Sequence, residues 1–113
     1  IGNVEVWTSL MRGETTAEHR PGGVSLTDLV RRHDAVSQAF AALALQVRDE
    51  RRLNELWVDA IDNPPRQKSY ATAILHVVSH NMHHRAQLLL MLGWLGLRDL
   101  PEGDLFSWES ANT

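Results

Sequence analysis

Apolar positions recur along most of this chain at intervals of three and four residues, the period of an α-helix that buries one face. Ile1, Val4, Trp7 and Met11 carry the first such stripe, and Gly13 is placed to stop it. Because the stripe is already running at Ile1, the chain is expected to open inside a helix. Residues 13–25 are rich in Gly, Thr and Pro and read as a connecting loop. It is long for a hairpin between antiparallel helices, so it is expected to run along a bundle as a crossover. Ser25-Leu26-Thr27-Asp28 has the form of a capping box, with a hydroxyl at the N-cap and a carboxylate three residues on. Leu26, Leu29, His33, Val36, Phe40, Leu43 and Val47 then make one stripe on a helix that ends near Glu50. Leu53, Leu56, Trp57 and Ile61 fit either a short helix or an extended stretch, and Asp62-Asn63-Pro64-Pro65 breaks any regular element.

Ser69 is placed to cap a last long helix from Tyr70 to about Leu95, with Gly96 as its C′ residue and Pro101 beyond. The tail, Pro101 to Thr113, holds Phe106 and Trp108, and its first half is expected to pack back. There is no strand alternation and no internal repeat. The pattern predicts an all-α single domain over residues 1–113, an incomplete four-helix bundle.

Composition narrows the function. The chain has 113 residues, with 11 Lys+Arg against 14 Asp+Glu, a net charge of −3. Displacing the counterions of a nucleic acid needs a dense basic surface, and this chain shows none, so no nucleic-acid partner is expected. The absence of Cys excludes disulfide frameworks, thiolate zinc sites and cysteine nucleophiles, and fits a reducing compartment. No uninterrupted apolar run approaches about 18 residues and no signal-peptide pattern is present, so the expected location is the cytoplasm, off the membrane.

The unusual feature is histidine. Four of the six His lie between His76 and His84. On a wheel of about 100° per residue, His76, His80, His83, His84 and Gln87 share roughly a third of the circumference. Much of the rest is Leu, Val or Met, which predicts a helix buried by several neighbours or by a partner chain. His76/His80 and His80/His84 each have the i,i+4 spacing that lets two imidazoles converge on one metal ion. The other readings of the strip are hydrogen-bonded core histidines or a solvated face. His83 points to the flank. His33, on its own apolar stripe, reads as a core histidine, and His19 as a solvated one. Trp7, Trp57 and Trp94 read as core or interface residues. No Asp or Glu occurs between Tyr70 and Arg98, which removes both the Glu-x-x-His pattern of di-iron carboxylate bundles and the His-Glu-x-x-His pattern of zinc proteases.

The run HVVSHNMHHRAQLLLMLGWLG, His76–Gly96, resembles the last long helix of the DinB-like family of metal-dependent bundle proteins. The family pattern H-x-x-x-H-x-x-H-H-R-[GA]-Q is met by His76, His80, His83, His84, Arg85, Ala86 and Gln87 in order. IGNVEVWTSLMRGE, with Glu5 and Trp7, is similar to the family's second helix. The resemblance implies a four-helix bundle with a long crossover between its second and third helices. The first helix and the start of the second would then be missing from this chain. It also implies a three-histidine divalent metal site. Two ligands map onto His80 and His84, and the third falls upstream of Ile1. His76, His83 and Gln87 would support them. An imidazole-only set suits Zn, Ni, Cu or Fe. By resemblance the protein would be an enzyme with thiol-dependent S-transferase or hydrolase-like chemistry, using a small-molecule substrate and a low-molecular-weight thiol; the all-round apolar helix and Trp108 in the tail add the expectation of a homodimer. The competing readings are a metal-free helical dimerisation module and a bis-histidine haem site shared with a second chain.

Overall fold

The computed structural model describes residues 1–14, 24–102 and 104–113. They form α1 (Gly2–Met11), α2 (Leu26–Asp49), β1 (Leu56–Asp59), β2 (Arg66–Ser69), α3 (Tyr70–Trp94) and α4 (Leu105–Asn112). Two expectations are corrected here. Four helices are present among the described residues, and α1 is a ten-residue helix that begins at Gly2, so the first helix and the start of the second are not missing from this chain. Between α2 and α3 the otherwise helical chain also makes one short antiparallel hairpin, β1 with β2, which an all-α pattern did not include. The crossover expected over 13–25, and His19 within it, lie mostly outside the described residues.

The chain divides into two compact units, Ile1–Val77 and Val78–Thr113. In the first, α1 packs on α2. The sequence logic of α2 holds at both ends. Ser25 Oγ accepts from the Asp28 N–H at 3.1 Å, as the capping box requires, and the helix ends at Asp49. Val36, Leu43 and Val47 are its buried positions, one stripe at helical spacing. His33 departs from expectation: it is exposed, 3.7 Å from the Asp34 carboxylate. Arg32 clamps Glu5 on α1 with three N–H···O contacts of 2.8–3.1 Å.

Two clusters fill the core of this unit. Met11, Leu43, Val47, Trp57, Tyr70 and Ala73 form one, and Val4, Val36 and Val77 the other, with Trp7 and Phe40 packed against both. The start of α3 is tied in by Tyr70, whose hydroxyl donates to the Met11 carbonyl at 3.2 Å. Its first N–H groups find Ser69 Oγ, Glu55 O and Leu53 O, so no orphan donors remain at residues 70–72.

Leu53–Ile61 resolves to the extended option. Side chains alternate across a strand, so Trp57 and Asp59 share the buried face while Leu56 and Val58 face out. Cross-strand register sets Trp57 opposite Lys68 and Asp59 opposite Arg66. Lys68 is therefore the diagonal neighbour of Asp59 on the same face.

In the second unit, α3 closes on Gly96 in the left-handed region, φ +88°, with the Leu97 N–H bonded back to the Leu92 carbonyl at 3.1 Å. Within the chain the buried α3 residues are Tyr70, Ala73 and Val77. One expectation fails in this unit. The tail forms α4, capped by Asp104, but buries none of its residues, and Phe106 and Trp108 are exposed. Trp94 is 77% exposed, whereas Trp57 is core.

Candidate metal centre

A helix rises about 1.5 Å and turns about 100° per residue, so positions 80, 84 and 87 fall on one face. The structure brings their side chains together. His80 Nε2 and His84 Nε2 lie 2.8 Å apart. Their rings meet edge to face, with centroids 4.5 Å apart and planes at 81°. His84 Nδ1 lies 3.0 Å from Gln87 Oε1. His83 flanks the pair, its ring centroid 6.5 Å from that of His80 and 5.8 Å from that of His84. His80 is half-buried, and His83, His84 and Gln87 are exposed.

The two Nε2 atoms face each other across 2.8 Å, at hydrogen-bond distance. A tetrahedral ion with metal–nitrogen bonds of about 2.0–2.1 Å holds its ligand nitrogens about 3.3 Å apart. Small ring rotations that part the two nitrogens by about half an ångström would admit it. The pair therefore fits a divalent ion as two of its ligands. Among the described residues no group of three or more His, Cys, Asp or Glu is placed to hold one.

His76 has a different neighbourhood, in the first unit. Its ring stands against Trp7, with centroids 5.0 Å apart. The Lys68 ammonium sits 4.9 Å from the Trp7 ring centroid, a cation–π contact. Lys68 also pairs with Asp59 and, at 3.1 Å, with Asp62. Asp59 is 1% exposed. Burial pushes its carboxyl up, but the Lys68 hydrogen bond, the Ile61 N–H and the Lys68 charge outweigh burial and hold it below the ordinary carboxylate range. The hydrogen bond to Asp59 raises the Lys68 ammonium in turn.

Sequence reasoning missed this ion pair. The available signal was a lone Asp in an apolar run, LWVD, before the Pro64-Pro65 turn, with a Lys four residues after that turn's first Pro. A shallow depression along the first turns of α2, lined by Leu26, Val30, Arg31 and Asp34, holds none of the histidines.

No helix among the described residues is long and apolar enough to cross a membrane. Neither the curated proteins nor the solved structures yield a match to this chain. The sequence pattern of the DinB family, a metal-associated class, matches residues 4–107, which takes in both halves of the resemblance, the Glu5–Trp7 helix and the histidine helix. The chain belongs to the DinB family.

Proposed function

We propose that this protein is a metal-dependent enzyme in which His80 and His84 give two imidazole nitrogens to one divalent ion. The observation that carries the reading is the convergence of the two Nε2 atoms to 2.8 Å on one face of α3. Two imidazole nitrogens that converge on one side of a helix are what a shared ion needs. When bound, the ion would act as a Lewis acid that lowers the pKa of a thiol or water it holds. The chain's own share is to hold two neutral nitrogens at fixed separation on a rigid helix. The exposure of His84 leaves that point open to a small molecule.

Within this reading the reaction is thiol-dependent S-transfer or hydrolysis of a small substrate, in the cytoplasm. The histidine helix carries no Asp or Glu between Tyr70 and Arg98, so within that helix activation of the thiol or water falls to the ion. Titration of the protein with Zn(II), Ni(II) and Fe(II), followed by calorimetry, tests it. Stoichiometric binding that disappears in the His80→Ala, His84→Ala double variant is expected. No binding, or binding unchanged in that variant, sinks the proposal.

A homodimer is part of the same proposal. The supporting observation is the apolar surface left open in the second unit, where Leu88, Leu90, Met91, Trp94, Leu95, Phe106 and Trp108 are all at least half exposed. If dimers form while no metal binds, the alternative reading of a helical dimerisation module takes its place. Sedimentation at micromolar concentration that shows only monomers removes both the dimer and that alternative.

A further inference from the structure

We propose that Gln87 is a positioning residue: its amide oxygen holds the His84 ring in the Nδ1–H tautomer and so presents the Nε2 lone pair toward His80. The use of that lone pair for a metal rests on the reading above, but the tautomer itself does not.

Two hydrogen bonds taken together place the protons. An amide oxygen only accepts, so at 3.0 Å from Gln87 Oε1 the Nδ1 of His84 must carry the proton. A neutral imidazole holds one N–H, so His84 Nε2 is then an acceptor. His80 Nε2 lies 2.8 Å from it, and two bare lone pairs repel at that distance, so His80 carries its proton on Nε2. The chain of donors is thus His80 to His84 to Gln87, with one tautomer assigned to each ring.

Water gives a free histidine the opposite preference, Nε2–H over Nδ1–H. Gln87 therefore reverses the intrinsic tautomer of His84. The i,i+3 spacing makes this possible, because Gln87 rises from the next turn of the same face of α3. An ion approaching the pair meets a His84 already presenting its lone pair, and only His80 must move its proton to Nδ1. A ligand pre-oriented by a hydrogen bond to its far nitrogen is the general means by which proteins strengthen a histidine–metal bond.

The test uses nitrogen-15 NMR of the metal-free protein in mildly alkaline buffer, above the ordinary histidine range. Expected is His84 with Nδ1 protonated and Nε2 bare, and His80 with Nε2 protonated. Gln87→Leu, at an exposed position, should return His84 to the Nε2–H form. Gln87→Glu keeps an acceptor oxygen and should preserve the Nδ1–H form. Zn(II) affinity should fall about 10- to 100-fold in Gln87→Leu and be rescued in Gln87→Glu. An unchanged His84 tautomer in Gln87→Leu, or an Nε2–H His84 in the unmodified protein, overturns the proposal. If the unmodified protein binds no metal, the enzyme reading fails while the tautomer spectra still decide the role of Gln87.

Discussion

Replacing Lys68 by Met would strand the Asp59 carboxylate. The Met side chain keeps most of the stem, so packing changes little, but the cation disappears. Asp59 is left 1% exposed, with the Ile61 N–H at 3.0 Å as a partner. Breaking a buried pair from one side typically costs about 3–5 kcal/mol. The carboxylate has an escape, which is to take up a proton. At pH 7 that costs about 4 kcal/mol, some three pH units above an ordinary carboxylate at about 1.36 kcal/mol per unit. At pH 5 the same escape costs only about 1.5 kcal/mol.

The expected destabilisation is therefore about 3–4 kcal/mol at pH 7, shrinking by about 2 kcal/mol at pH 5. In the unmodified protein the folded Asp59 pKa is depressed, so its contribution is fully present above the unfolded value of about 3.9 and is lost as pH falls further, through the folded value. Between pH 7 and 5 this pair should leave the unmodified protein unchanged. Urea unfolding followed by tryptophan fluorescence reads both proteins at both pH values, since Trp57 and Trp7 lie beside the pair. Adding Asp59→Asn to Lys68→Met should remove the pH dependence. A loss under about 1 kcal/mol at pH 7, or an equal loss at both pH values, would refute the argument.

Other substitutions read single features. Thr8 Oγ1 is buried with no hydrogen-bond partner among the described residues, so Thr8→Val, nearly the same shape, should raise stability by about 1 kcal/mol in thermal unfolding; a decrease would show the hydroxyl is satisfied. Gly96→Ala meets no atom within 4 Å of the added Cβ, so its cost is the backbone alone at φ +88°, about 1 kcal/mol, seen as faster amide exchange over the last turn of α3. Unchanged exchange there would mean that the left-handed closure of α3 does not hold its end.

The helices were legible because their signals are local. Ser25 with Asp28, Ser69 ahead of Tyr70, and Gly96 after Trp94 act within one turn of chain, and the structure places each of these boundaries within a residue or two of its sequence position. The convergence of His80 and His84 was legible for the same reason, since i,i+4 spacing on one helix needs no tertiary information. The hairpin was not. Leu56–Asp59 has no alternating pattern, and β1 becomes a strand only because β2 pairs with it across the Pro64-Pro65 turn. Burial also escaped the pattern. An apolar periodicity says which face would be buried if a neighbour came, not whether one comes. For α3 a neighbour covers Ala73 and Val77, while Leu88, Leu90 and Trp94 stay open.

What the sequence determined by itself is thus the family, the boundaries of α2 and α3 and the shared face of the histidines, all consequences of spacing along one chain. Tertiary structure alone decided that Asp59 is buried against Lys68, that Trp7 stands between Lys68 and His76, and that His33 faces water. Those outcomes depend on which side chains the folded chain brings within a few ångströms, and on where charge can leave water. Neither quantity is a property of any single segment.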